Sequence, residues 1–235
     1  LLSMGSEREK VTESGKMVKA TITYSGGEDK FDISALMAFS MIVGLVTATL
    51  LAAPLAKENA GHLELTWTKP VSRSQYAWAA IGVDSLSIVL AQCATVVVVL
   101  LCALLFVIPQ IVLGSALIAG IALAAPLAWY ALLTTLSASA KQGPGLVIGL
   151  SWVAAIVILA VAHATNGAQS TIGIAVHAVA QTLAYLDPLA YASFSDGGLV
   201  RNGVVATAAE AFLALCTLGI LYLVAAVLQW RRVEA

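Results

Sequence analysis

Asp84 and Glu210 each stand alone in a long apolar stretch, with no other acid or base between Arg73 and Lys141 or between Arg201 and Arg231. An ionisable group at membrane depth is costly and is a candidate for handling a substrate or a proton. Near a helix end the same carboxylate can reach water or a base and serve structure only. Asp84 lies about 16 Å past Arg73 along a helix axis, at 1.5 Å per residue. Glu210 falls about six residues into the last apolar run, so both roles stay open for both residues. Acid–base chemistry would need paired groups at one depth. These two fall near opposite faces, and no Ser–His pair shares a depth, which argues against an intramembrane enzyme. His62, His163 and His177 have no second ligand at metal spacing, so no metal site is expected. Cys93, Cys102 and Cys216 lie inside apolar runs as small core residues, without zinc or disulfide spacing. Gly15-Lys16 is followed by Met17, so no phosphate-binding Gly-x-x-x-x-Gly-Lys-Ser/Thr loop is formed.

The elements that must position these residues are set by composition. The chain has 235 residues, of which 60% are hydrophobic and 11% charged, with a mean hydropathy of +0.93. A soluble domain carries about a quarter charged residues, so the chain is expected to lie in a bilayer. With a net charge of -1 and its 12 bases scattered, no nucleic-acid partner is implied. A spanning helix needs about 20 apolar residues. Five such spans are predicted, at about 33–55, 77–108, 114–140, 144–162 and 204–228. The 56 residues from Ser85 to Ala140 lack an acid or base and are too long for one span; "IPQIVLGS" at 108–115 divides them. The fold class is therefore an all-α polytopic membrane protein, with a transmembrane domain over 33–235. Residues 1–32 form a polar segment outside the membrane, with six acids and five bases between residues 3 and 32.

Segment 163–203 is harder to place. Ile172, Val176, Val179, Leu183 and Leu186 repeat at alternating four- and three-residue spacing, with Gln169, His177 and Gln181 supplying a polar side. An outer-surface or re-entrant helix is predicted here. A sixth span over 168–186 is the competing reading, and it places Arg231 and Arg232 outside. With five spans, Lys57, Lys69, Arg73, Lys141, Arg231 and Arg232 share one side, which the positive-inside rule makes cytoplasmic. The bases of the N-terminal segment count against this orientation unless an earlier helix has fixed it.

Between the first two spans lies a charged island, "KENAGHLELTWTKPVSRSQY". Ala60, Leu63 and Trp67 fall at helical spacing, and a helix there must stop near Lys69, because the residue before Pro70 is pushed out of the helical region. Ser72 and Gln75 fit a capping box, with Val71 and Tyr76 as a hydrophobic staple for the next helix. The island thus encodes a helix, a sharp elbow and a helix.

The string resembles the intracellular loop of the type-2 ABC exporter permeases, an acidic residue followed by a Gly-x-Leu-Glu step and a Pro-Val-Ser-Arg elbow. The matching residues are Glu58, Gly61, Leu63, Glu64, Pro70, Val71, Ser72 and Arg73. His62, where the family more often has Thr, and the polar "TWTK" before the proline depart from it. The rest of the chain matches only in helix order and in its basic end. The resemblance implies that the loop is a coupling helix seated in a separate ATP-binding subunit, present in two copies. It implies a second permease chain, the same or a relative, and a bacterial or archaeal plasma membrane. Six helices are expected in that family, so the first would precede residue 1, and no cofactor is expected in this chain because ATP and magnesium would sit on the partner. An amphipathic, lipid-like or drug cargo suits spans so poor in charge. A non-transporting anchor or sensor for a cytoplasmic partner is the alternative.

Gly145 and Gly149, and the small residues of 114–125, are expected to permit close helix packing. Trp78, Trp152 and Trp230 are read as interfacial anchors, and Trp129 as lying deeper.

Overall fold

The computed structural model describes residues 10–11, 17–18, 30–52, 73–106, 110–112, 116–138, 144–192 and 207–233. Within these, six helices follow one another: α1 (Ile33–Leu51), α2 (Arg73–Phe106), α3 (Ala116–Ala138), α4 (Pro144–Ala164), α5 (Thr171–Leu186) and α6 (Ala208–Val233). Helices α2, α3, α4 and α6 are long and apolar enough to cross a membrane, and α1 and α5 contribute shorter apolar helices. This is the build of a multi-pass membrane protein. The all-helical expectation needs two additions. β1 (Lys10–Val11) pairs antiparallel with β2 (Met17–Val18), and β3 (Lys30–Asp32) pairs parallel with β4 (Gln110–Val112). The second ladder places the start of α1 beside the α2–α3 connection.

Helices are the natural outcome in apolar surroundings, because each satisfies its backbone polar groups within one segment. The hydroxyls inside them follow the same logic: Thr47, Thr49, Ser87 and Thr95 each donate to the carbonyl four residues earlier. Apolar side chains such as Leu50, Leu105 and Leu146 stay outward and exposed. The interior combines many alanines with aromatic side chains and a smaller set of aliphatic ones.

Helix α3 is the centre, packed most extensively on α6 and α1. It runs parallel to α6: Gly120 lies against Phe212, Ala128 against Gly219, and Thr135 against the Tyr222 carbonyl. It runs antiparallel to α2, since Asp84 meets Tyr130 while Gln92 meets Ala122. One core cluster joins Met41, Ala125, Ala128 and Leu215; another joins Ala77, Trp129, Leu133 and Trp230. Parallel α3 and α6 must begin at the same end of the bundle. The intervening chain therefore makes one net return, through α4.

Helix α5 completes a hairpin with α4. Gly167 supplies the left-handed residue of the turn, with φ of 79°. Ser170 caps the new helix by accepting from the Gly173 N–H. Thr165 Oγ1 and His177 Nδ1 clasp the closed end of the hairpin at 3.1 Å. At 1.5 Å per residue the 16 residues of α5 run about 24 Å back along α4. Its small residues Ala180 and Ala184 face inward, while Ile172, Val176, Val179, Leu183 and Leu186 are all exposed. Ile172, Val176 and Val179 thus look away from the protein, while Leu183 and Leu186 also border the space between α5 and its neighbours. A buried 3-10 turn, η1 (Pro188–Tyr191), follows and touches α3 and α6.

Several sequence expectations land differently. Trp230 is fully buried with its ring 6.2 Å from Tyr76, and Trp152 is drawn inward, its indole N–H donating to Thr49 Oγ1 at 3.1 Å. Both are packing residues; Trp78 alone of the three is exposed. A Cβ on Gly145 or Gly149 would meet nothing within 4 Å; among the described residues Gly44, Gly120 and Gly219 are the glycines set close against a neighbouring helix.

Candidate functional site

The residues that matched the coupling loop, Glu58, Gly61, Leu63, Glu64, Pro70, Val71 and Ser72, lie outside the described residues, as does His62. Arg73 opens α2, one residue after the predicted cap. The flanks of the island are placed. Tyr76, near the start of α2, stacks at a tilt on Trp230, near the end of α6. The start of α2, which follows the island in sequence, therefore lies at the end of the bundle where Arg231 and Arg232 emerge.

Asp84 and Glu210 sit far apart in the architecture and do different work. Asp84 is half-buried on α2 and accepts a hydrogen bond of 2.7 Å from the Tyr130 hydroxyl on α3. It ties two helices together. Glu210 falls in the first turn of α6, not six residues into a span, because the helix starts at Ala208. Its Oε2 accepts from the Thr207 N–H at 3.1 Å, and the Thr207 Oγ1 accepts from the Glu210 N–H at 3.2 Å. That reciprocal pair is a capping box.

The chemistry gathers elsewhere, around Asp187, halfway along α3 and α6. Asp187 ends α5 and begins η1, its Oδ1 accepting from the Leu189 N–H at 2.9 Å. A helix end in the middle of an apolar bundle leaves carbonyls that water cannot serve. Two tyrosines serve them. Tyr222 of α6 donates to the Leu186 carbonyl, and Tyr191 donates to the Tyr185 carbonyl at 2.9 Å. Thr135 of α3 adds a bond of 2.6 Å to the Tyr222 carbonyl, so α3, α6 and the tip of α5 are hydrogen-bonded together.

One atom of this network is left over. Asp187 is 5% exposed, and its Oδ2 has no hydrogen-bond partner among the described residues. The Trp129 indole N–H is likewise unpartnered there. Both residues border a cavity of about 570 Å³ between α3, α4, α5 and α6, whose wall includes Leu136, Leu150, Ser151 and Tyr222. Ser151 directs its hydroxyl to the Val147 carbonyl, which leaves the wall almost wholly apolar. The volume is that of a pocket for a small organic molecule.

A second polar knot lies across α3. Pro126 lacks an N–H and so cannot bond the Ala122 carbonyl four residues back. Gln92 Nε2 from α2 donates to that carbonyl at 2.8 Å. The fit is close: a Cβ on Gly44 of α1 would stand 2.7 Å from Gln92 Cδ and 2.8 Å from Pro126 Cγ.

Sequence reasoning passed over Asp187, Tyr222 and Gln92. "LDPLAYASFSDGG" reads as a returning loop, since an Asp-Pro step between apolar segments is ordinary turn chemistry. The available signal was an acid directly ending an apolar stripe, with tyrosines at 185 and 191 on either side. No family model, curated protein or solved structure matches this chain.

Proposed function

We propose that this chain is the permease subunit of an ATP-driven exporter of the type-2 ABC class. It crosses the membrane five times, through α1, α2, α3, α4 and α6, and α5 re-enters from the outer side as far as Asp187. The observation that carries the reading is the charged island, whose Gly-x-Leu-Glu step and Pro-Val-Ser-Arg elbow stand between the first two spans. Its placement supports the same reading. The start of α2, just after the island in sequence, and the Arg231–Arg232 pair lie at one end of the bundle, and basic residues favour the cytoplasmic side. There a rigid amphipathic plug with a proline elbow would transmit the closure of two ATP-binding subunits to α1 and α2. The open apolar groove beside Asp187 would give such a subunit a place to hold cargo. ATP and magnesium belong to the partner, and a second permease chain completes the path.

The test is co-purification of the chain with the ATP-binding subunit encoded beside it, comparing wild type with Glu58→Ala and Arg73→Ala. An ATPase should co-purify, and both substitutions should release it or uncouple its hydrolysis from transport. If no ATPase is retained in mild detergent, the resemblance is a coincidence of string and the permease reading falls.

A further inference from the structure

We infer that the cavity beside Asp187 is a binding site for a hydrophobic organic cation, with the Asp187 carboxylate as its counter-charge. The inference deepens the export reading by naming a class of cargo, and it rests on that reading only for the word cargo.

The argument starts from what the site lacks. A buried carboxylate is stable when it is paired or fully hydrogen-bonded. Asp187 has one oxygen bound to its own turn and one oxygen bound to nothing, and no basic side chain among the described residues acts on it. A structural cap needs only the first oxygen, which asparagine or serine would supply equally well. The charge is therefore surplus to the turn, in surroundings where charge is expensive.

The cavity says what would complete it. Its wall is apolar apart from Asp187, Ser151 and Tyr222, so the body of a ligand must be hydrophobic. Trp129 and Tyr222 border the same space, and aromatic rings attract a cation. An anionic amphipath would meet Asp187 with like charge and be rejected. A neutral lipid tail would fill the volume but leave Oδ2 unpaired. A hydrophobic molecule with a positive centre satisfies both the wall and the carboxylate.

The experiment measures equilibrium binding of tetraphenylphosphonium and of its neutral counterpart triphenylphosphine oxide to the purified full chain in nanodiscs, without ATP or partner. Asp187→Asn keeps the oxygen that accepts from Leu189 and removes the charge. The cation should bind wild type saturably and lose at least about tenfold in affinity in this variant, while the neutral probe changes by less than about twofold. Ser151→Trp, which fills the cavity from α4, should abolish binding of the cation, and it remains informative if Asp187→Asn fails to fold. The proposal is overturned if the cation binds Asp187→Asn as tightly as wild type, if Ser151→Trp leaves it bound, or if the neutral probe binds wild type equally well, as a lipid-tail slot would. Co-purifying ATPase without cation binding sinks this inference and leaves the permease reading intact; cation binding without an ATPase does the reverse.

Discussion

Pro126 and Gln92 show how a single residue choice on one helix constrains another. Proline frees the Ala122 carbonyl, Gln92 reaches across from α2 to accept that consequence, and Gly44 keeps the space open for both. Hydrogen bonds between membrane helices are worth about 0.6 kcal/mol on average and rarely above about 1.7 kcal/mol. Gln92→Leu should therefore destabilise the chain by about 1 kcal/mol. In a Pro126→Ala background the restored N–H serves Ala122, and the cost of Gln92→Leu should fall toward zero. A double-mutant cycle read by thermal unfolding in detergent checks this, and additive losses would show that the bond carries nothing. Asp84 is tested in the same way. As a tether for Tyr130 it needs only an acceptor oxygen, so Asp84→Asn should keep stability and transport within about twofold of wild type, whereas Asp84→Leu strands a buried hydroxyl at a cost of about 1–3 kcal/mol. Loss of transport in Asp84→Asn with stability intact would give Asp84 a proton or substrate role instead. None of these partnerships is legible in the sequence, because each joins residues 30 or more positions apart by contacts that no local spacing encodes.

Elements were far more legible, since a bilayer fixes how long an apolar helix must be. The described helices begin and end within a few residues of the predicted spans, and α5 lies inside the segment expected to form an outer or re-entrant helix. The sequence misled where charge was used as the marker of depth. Glu210 is expected inside a span because Val204 to Ala206 are apolar, yet α6 begins at Ala208 with Thr207 as its cap. Capping makes a definite prediction. Thr207→Ala and Glu210→Ala should each cost about 1 kcal/mol, with the double variant little worse than either, because both break one reciprocal pair. Glu210→Gln should be close to wild type, since glutamine also closes a capping box. Melting temperatures of the four proteins decide the matter. A Glu210→Gln variant that melts normally but fails to transport would move Glu210 from structure to function.

At the scale of the whole molecule the decisive feature is that α3 and α6 run side by side in the same direction. On the proposed five-span reading α4 makes the single crossing between them, and the end of α5 at Asp187 is reached and left from one side of the membrane. Were α5 a sixth span, α6 would have to begin at the opposite end from α3, and the contacts of Gly120 with Phe212 and of Thr135 with Tyr222 could not both form. Labelling from one side reads this parity directly. In a background without Cys93, Cys102 and Cys216, single cysteines at Gln169, Gln181 and Arg232 are exposed to a membrane-impermeant maleimide on intact cells. Gln169→Cys, next to the Gly167 turn at the closed end of the α4–α5 hairpin, should label from outside. Gln181→Cys, twelve residues further along the chain and within α5, should label weakly or not at all, because its side chain is half-buried against the bundle. Arg232→Cys should label only after the membrane is opened. If Arg232→Cys reacts from outside in intact cells, the end of the bundle that Tyr76 and Trp230 share faces outward, and the case for a cytoplasmic coupling loop beside the C-terminus is lost.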